Sequence, residues 1–259
     1  MTKWLLYILA ALGFGVVLAL GLPDAPPAHG NGYRVEVVGD PATAGHIAVL
    51  VPGADTTPST FDTGLGGVLR RAPGWQAHQL ATAAGPGTAV VAWLGYDPPD
   101  GVNRSAVRSE RGEAGAVALV AYLDRLAMQY PHATVTVIGH SYGTVVIGHA
   151  AAHLPSTVTD LVAIGSPGMD VGRAADLGTH ARVWAGSDAS DWTLRLPDLR
   201  ILGSGHGTNP TRTRFGALPL DVHDAPGHDG YFVPGTASLA SLARVVDGTQ
   251  PVATQAVAR

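Results

Sequence analysis

The stretch Val135-Thr-Val-Ile-Gly-His-Ser-Tyr-Gly-Thr144 decides the fold. A short β-branched run leads into Gly139-His-Ser-Tyr-Gly143, and a helix-compatible segment, residues 145–152, follows at once. A Gly-x-Ser-x-Gly pattern between a strand and a helix is typical of a strained turn that exposes the serine hydroxyl, with glycines where a Cβ would collide. The amides and the positive end of the following helix face the same point. Ser141 is therefore the first candidate for a nucleophile, whereas the adjacent His140 is interpreted as a packing or hydrogen-bonding residue.

Further segments of strand length lie on both sides of this motif. Residues 33–38 alternate between apolar and polar, and residues 47–51, 89–94, 158–164 and 181–185 are mainly apolar. Helical spacing of apolar residues is found over 105–130 and 238–246, and residues 192–227 are irregular and rich in turn residues. Apolar strands that alternate with helices predict an α/β fold with a mainly parallel central sheet and helices on both faces. In such sheets, functional sites form beyond the carboxyl ends of the strands.

Composition excludes several classes of function. The chain has 259 residues, a formal net charge of −4 and no cysteine. Without cysteine there is no disulfide framework, thiol nucleophile or cysteine metal site. Because no basic patch is present, we expect no nucleic-acid partner.

The N-terminal segment predicts export. Residues 4–22 carry no charge and follow Lys3, and as a helix they would span about 28 Å, close to the thickness of a bilayer core. The basic residue before the apolar run places the rest of the chain outside the cytoplasm. We therefore expect a signal peptide or a signal anchor over 1–22, a linker over 23–32, one domain over 33–248 and a tail over 249–259. A signal anchor would associate the protein with a membrane through residues 4–22, and the sequence leaves cleavage open.

A serine nucleophile needs a base and an acid that orients the base, and after such a turn the acid precedes the histidine in the chain. Asp188 and Asp191 both follow the strand over 181–185, and spacing alone does not choose between them. Among the later histidines, the position of His228 in a turn-rich loop before the last helix favours it as the base. His206, between two glycines, is interpreted as a residue that lines the site.

A metal site is the alternative use of these side chains. The candidate ligands are His206, His223, Asp224, His228 and Asp229. Their spacing matches no compact metal motif, so we expect no metal and no cofactor.

The oxyanion that forms during attack on a carbonyl needs two amide donors. One is expected from Tyr142, directly after the serine, and the other from the loop after the strand over 47–51, where Ala54 or Asp55 is the donor. Gly53 in that loop and Asp97, at the end of the strand over 89–94, are predicted to line the site.

Taken in order, several short motifs resemble the actinobacterial α/β-hydrolases classed as a domain of unknown function. The matching segments lie between about residues 47 and 235 and are Val51-Pro-Gly53, Ala92-Trp-Leu-Gly-Tyr-Asp-Pro98, Gly139-His-Ser-Tyr-Gly143, Gly165-Ser-Pro-Gly168, Ser190-Asp-Trp192, Gly205-His-Gly207 with Pro210, Phe215-Gly216 and Gly227-His-Asp-Gly-Tyr231.

This resemblance implies the α/β-hydrolase fold with a Ser-Asp-His triad. It favours Asp191 over Asp188 as the acid and His228 as the base. The chain departs from the family pattern after Trp192, where Thr193-Leu-Arg-Leu-Pro197 follows, and at Asn209, where an aspartate is common.

The leading hypothesis is an exported serine hydrolase that acts on small-molecule or lipid carboxylic esters through an acyl-enzyme. One alternative is an acyltransferase that uses the same triad. The other is a catalytically silent, membrane-tethered binding module, because a fold alone does not establish chemistry.

Overall fold

The computed structural model describes residues 33–101, 109–199 and 205–250. The predicted apolar segment 4–22, the linker 23–32, the first residues of the helix predicted over 105–130 and the tail from residue 251 lie outside these ranges. Within the described ranges, no helix has the length and apolar character needed to cross a bilayer.

Among the residues that the structure describes, seven strands form one sheet in the order β1-β3-β2-β4-β5-β6-β7. The strands are β1 (Arg34–Val38), β2 (His46–Val51), β3 (Thr88–Leu94), β4 (Thr134–His140), β5 (Val158–Ile164), β6 (Arg182–Gly186) and β7 (Leu218–Pro219). Strand β1 runs antiparallel to β3, and every other neighbouring pair is parallel. The carboxyl ends of β2 to β6 therefore meet at one edge of the sheet.

Helices cover both faces of this sheet. They are α1 (Pro73–Ala84), α2 (Glu110–Gln129), α3 (Gly143–Ala150) and α4 (Ala237–Val246). Alternate residues of each strand point to opposite faces, so Val49 packs with α2 and α3 in one apolar cluster. Leu50 packs with α1 and α4 in a second cluster. The predicted fold class is confirmed, since a mainly parallel sheet lies between two helical layers.

The structure adds elements that the sequence did not predict. Helix α1 starts with Pro73, whose fixed φ suits a first turn. The buried face of α1 is made of small or polar residues, Gly74, Gln76 and Ala77, together with Leu80, so its apolar periodicity is weak. In the described part of the predicted irregular region, residues 192–199 and 205–227, the structure has the short strand β7 and two single-turn 3₁₀ helices.

Candidate active site

Ser141 lies in the turn between β4 and α3. Its φ is +53°, a conformation that costs energy for a residue with a Cβ and persists only where the surroundings enforce it. The Ser141 amide donates to the carbonyl of Ile164 at 3.0 Å, and the Thr144 hydroxyl donates to the carbonyl of Ser141 at 2.8 Å. These bonds to β5 and to α3 hold the turn from both sides.

Two glycines permit close approach around the serine. A Cβ built on Gly143 would lie 2.2 Å from the carbonyl oxygen of Val51, and one built on Gly53 would lie 2.6 Å from the Cβ of Ser141. Neither site has room for a side chain. As a result, the loop after β2 lies directly against the serine.

Ser141, His228 and Asp191 form one hydrogen-bonded chain. The Ser141 Oγ lies 2.9 Å from Nε2 of His228, and Nδ1 of His228 lies 3.0 Å from both carboxylate oxygens of Asp191. Because an ionised carboxylate can only accept hydrogen bonds, Nδ1 of His228 carries the proton. Nε2 is then free of a proton and accepts a hydrogen bond from the serine hydroxyl. This is the arrangement in which an imidazole can remove the serine proton.

Asp191 is buried and fully hydrogen-bonded. Besides His228, its carboxylate accepts from the Thr193 amide at 2.9 Å and the Thr193 hydroxyl at 2.7 Å. It also accepts from the Tyr231 hydroxyl at 2.5 Å. Burial alone would raise the pKa of Asp191, but the hydrogen bonds and the attraction of His228 outweigh it and hold that pKa well below its ordinary value. The acid is therefore a stable anion.

Asp188, the alternative acid, has other partners. Its carboxylate accepts from the amide and the hydroxyl of Ser190. Within the described residues it makes no hydrogen bond to a histidine, which makes it a turn residue at the end of β6. The structure thus places Asp191, the acid that the resemblance implies, against His228 and does not place Asp188 there.

His140 packs directly on the histidine of this chain. Its Nε2 lies 2.8 Å from the backbone carbonyl of His228, to which it donates, and the two ring centroids are 4.8 Å apart. Burial and the neighbouring His228 lower the pKa of His140 to about 4. His140 is therefore neutral at pH 7 and supports the loop that carries His228.

The loop after β2 separates the two candidates for the second oxyanion donor. The Asp55 amide already donates to the carbonyl of Pro99 at 3.0 Å, so it is occupied. The Ala54 amide makes no hydrogen bond to any residue within the described part of the chain. Ala54 is therefore the better-placed donor, together with Tyr142 at the start of α3.

A cavity of about 330 Å³ opens above Ser141 and His228. Its wall is of mixed polarity, with Trp192 on one side; the other lining residues include Gly53, Ala54, Asp55, Thr56, Thr60, Leu65, Arg71, Gln76, His140 and Asp229. Arg71 and Asp229 form an ion pair at 2.6 Å across it. The serine, the histidine and the loop that carries Ala54 thus face one space.

Two residues predicted to line the site do not face this cavity. Asp97 pairs with Arg111 of α2 at 3.0 Å and is not among the residues that line the cavity. His206 is buried and its Nδ1 lies 2.8 Å from Asp170, which also accepts from His149 at 2.6 Å. Both predictions need correction, since position along the chain did not reveal which charged partner each side chain meets.

Sequence reasoning missed the roles of two residues near the hydrogen-bonded chain of Ser141, His228 and Asp191. Tyr231 donates to Asp191 and belongs to the same Gly227-His-Asp-Gly-Tyr231 motif as His228, so the motif itself carried that signal. Arg71 lies in a segment with no recognisable motif, and no sequence signal would have placed it at the cavity. Within the described residues, no group of three or more His, Asp or Glu side chains could hold a metal ion.

Comparison with known families assigns the chain to a class. A family model described as alpha/beta hydrolase matches residues 27–201. The chain belongs to the α/β-hydrolase family. The match includes Ser141 and Asp191 and ends before His228.

Relatives from mycobacteria carry no assigned activity. The uncharacterized protein Rv0963c of Mycobacterium tuberculosis is 32% identical over 213 residues, which cover 73% of this chain and 72% of that protein. The uncharacterized protein Rv2079 of the same species is 28% identical over 253 residues, which cover 85% of this chain and 37% of that protein. The chain thus spans little more than a third of the length of Rv2079.

Solved structures with a similar course of the chain include two enzymes. One is a dienelactone hydrolase from Anabaena variabilis, with a TM-score of 0.49 and 18% identity over 83% of this chain and 89% of that one. The other is a cutinase from Trichoderma reesei in complex with a phosphonate inhibitor, with a TM-score of 0.48 and 16% identity over 81% of this chain and 78% of that one. Family membership rests on the sequence matches.

Proposed function

We propose that the chain is a serine-dependent hydrolase of carboxylic esters. The observation that carries this proposal is the hydrogen-bonded chain from the Ser141 hydroxyl through His228 to Asp191, which ends at a cavity. A nucleophile in hydrogen-bond contact with a base, itself oriented by a buried acid, is the geometry that acyl transfer requires.

In the proposed reaction, the Ser141 Oγ attacks the ester carbonyl while Nε2 of His228 takes the proton of the Ser141 hydroxyl. The amides of Tyr142 and Ala54 stabilise the oxyanion of the tetrahedral intermediate. Collapse of this intermediate returns the proton to the leaving alcohol and leaves an acyl group on Ser141. A water molecule then attacks the acyl-enzyme while His228 takes its proton. The bond between the acyl group and the Ser141 Oγ breaks as His228 returns this proton to Oγ, and the carboxylic acid is released. Asp191 stays ionised throughout and stabilises the imidazolium.

The cavity favours compact esters. Its volume of about 330 Å³ is at the lower end of the range for small-molecule sites. Arg71, Asp229 and Gln76 give it a polar wall beside Trp192. We therefore expect turnover to fall as the acyl chain lengthens, and a rise with chain length would instead favour a lipid ester.

The test is hydrolysis of a series of p-nitrophenyl esters from acetate to palmitate by the wild type and Ser141→Ala. We expect Ser141→Ala to lower kcat by several orders of magnitude, leaving at most roughly 10³–10⁴-fold catalysis over water. Full activity in this variant would contradict the proposal.

Added alcohols test acyl transfer, because transfer yields a new ester in place of the acid. A folded wild type that is inert toward every ester would favour a binding module.

We further propose that the protein is exported, on the basis of the uncharged residues 4–22 after Lys3. Fractionation of cells that express the full chain tests this. Recovery in the envelope or the medium would support export, and recovery in the cytoplasm alone would contradict it.

A further inference from the structure

The loop with the Ala54 donor is held from one side by the segment that follows β3. The Tyr96 hydroxyl donates to the carbonyl of Pro52 at 2.6 Å. The carbonyl of Pro99 accepts from the Asp55 amide at 3.0 Å, and the Gly101 amide donates to the Asp55 carboxylate at 2.7 Å. These three bonds fix both ends of the stretch 52–55.

Tyr96 itself has little freedom to move. Its side chain is buried and stacks on Trp93, with ring centroids 6.2 Å apart and an interplanar angle of 12°. Helix α2 packs closely on it, since a Cβ on Gly115 would lie 3.0 Å from the Cβ of Tyr96. Burial raises the pKa of Tyr96 well above its ordinary value, so the hydroxyl remains a neutral donor at any pH at which the protein would be assayed.

The bond to Pro52 lies close to the reacting atoms. The Pro52 carbonyl belongs to the peptide that joins Pro52 to Gly53, and Gly53 is in contact with Ser141. A rotation of this peptide would also turn the next peptide, whose N–H is the Ala54 amide. The direction of that amide therefore depends on where the Pro52 carbonyl is held.

We propose that Tyr96 is a positioning residue for the oxyanion site: its hydroxyl fixes the Pro52 carbonyl and so keeps the Ala54 amide directed at the developing oxyanion above Ser141. This inference rests on the proposed ester hydrolysis. It also gives a role to the Trp93-Leu-Gly-Tyr-Asp-Pro98 motif, whose Asp97 does not reach the cavity.

Tyr122 provides a matched control. It is also buried and packs on the same Trp93, with ring centroids 6.1 Å apart. Its hydroxyl has no hydrogen-bond partner among the residues that the structure describes. Tyr96→Phe and Tyr122→Phe thus remove the same atom, the hydroxyl oxygen, from two tyrosines that pack on one indole ring. Only Tyr96→Phe removes a hydrogen bond to the loop.

The experiment compares the wild type, Tyr96→Phe and Tyr122→Phe in hydrolysis of p-nitrophenyl butyrate and in inhibition by butylboronic acid, which forms a tetrahedral adduct on a serine. We expect Tyr96→Phe to lower kcat about tenfold, because a small displacement of an oxyanion donor weakens transition-state binding. Its inhibition constant for the boronic acid should rise by the same factor, with KM and the acid limb of the pH profile unchanged. Tyr122→Phe should match the wild type in all four.

Melting temperatures of the three proteins separate positioning from folding. A Tyr96→Phe protein that keeps the wild-type kcat and boronate affinity would overturn the inference, as would losses of the same size in both variants. If the wild type itself hydrolyses no ester, the proposed function fails and this inference with it. If the wild type is active and Tyr96→Phe is unaffected, the proposed function stands and only the role of Tyr96 is contradicted.

Discussion

Two buried aspartates, Asp191 and Asp170, are bound by histidines in similar ways but in different surroundings. Asp191 binds Nδ1 of His228, whose other nitrogen reaches Ser141 at the cavity. Asp170 binds Nε2 of His149 at 2.6 Å and Nδ1 of His206 at 2.8 Å. Neither of these histidines lines the cavity above Ser141. At both aspartates burial opposes ionisation, hydrogen bonds from histidine favour it, and the net effect is a pKa well below the ordinary value.

The difference shows that an Asp–His contact with a strongly shifted pKa does not by itself mark an active site. The pair at Asp191 gains its proposed chemistry from what surrounds it, a serine on a strained turn and a space for the substrate. The cluster at Asp170 joins α3 to the loops that carry Asp170 and His206, and we interpret it as structural.

The largest expected effect separates the two aspartates by activity. Asp191→Asn should lower kcat/KM for p-nitrophenyl butyrate by roughly 10³–10⁴-fold, because the imidazole loses the carboxylate that fixes its tautomer and stabilises its charge. Asp170→Asn should change kcat/KM by less than about tenfold, since its histidines do not face the substrate. Asparagine is the suitable replacement because Asp170 has a φ of +59°, a conformation that Asn tolerates.

Unfolding in urea is the control for this pair. Each variant should lose about 1–3 kcal/mol of unfolding free energy, since each leaves buried donors without a charged acceptor. Equal losses of activity in the two variants, or a larger loss in Asp170→Asn, would break the distinction between catalytic and structural clusters.

A smaller effect is expected from Tyr231→Phe. This change removes one of the donors that hold the Asp191 carboxylate in position against His228, and this loss of orientation lowers kcat. It also leaves more of the carboxylate charge available for the protonated imidazole, which moves the acid limb. We expect kcat to fall about three- to tenfold and the acid limb of the kcat/KM profile to move to higher pH. His149→Gln, which alters a donor to Asp170, should leave that limb in place. A Tyr231→Phe profile that superimposes on the wild type would rule out this role.

The smallest effect is on the pH dependence of stability. Since the pKa of His140 is lowered to about 4, its neutral form stabilises the fold above pH 6.5 or so, and this contribution is lost as the pH falls toward about 4. The lowered pKa values of Asp191 and Asp170 contribute stability above about pH 4 that is lost as the pH falls further. His140→Gln should reduce the slope of the unfolding free energy against pH between about pH 6.5 and 4. Asp191→Asn or Asp170→Asn should reduce that slope below about pH 4.

Urea unfolding at a series of pH values between about 3 and 7 measures these slopes. A His140→Gln protein with the wild-type slope between about pH 6.5 and 4 would show that His140 is not held neutral by the fold.

Most of the sheet could be predicted from the sequence, because residues 47–51 and 89–94 are continuous apolar runs followed directly by proline or glycine, and β4 and β5 consist mostly of apolar and β-branched residues. Helix α1 could not, since its buried face consists largely of glycine, alanine and glutamine. Strand β7 has two residues, too few for any periodicity to be visible.

The site divides in the same way. Ser141 is visible in the sequence because the strand–turn–helix pattern is local, and His228 follows from its position in a late loop. Spacing could not separate Asp188 from Asp191, or Asp55 from Ala54, because those choices depend on partners that are distant in sequence, such as His228 and Pro99. Sequence position misleads for His206 for the same reason, because its partner Asp170 is distant in the sequence and only the fold brings the two together.

Labelling with a fluorophosphonate probe, followed by peptide mapping, tests the central claim most directly. The purified full-length wild type, His228→Ala and His206→Ala would be treated in parallel, with folding checked by circular dichroism. We predict an adduct on Ser141 in the wild type, its loss in His228→Ala and its retention in His206→Ala. Labelling of another residue, no adduct on the folded wild type, or an undiminished adduct in His228→Ala would contradict the assignment of Ser141 and His228 as nucleophile and base.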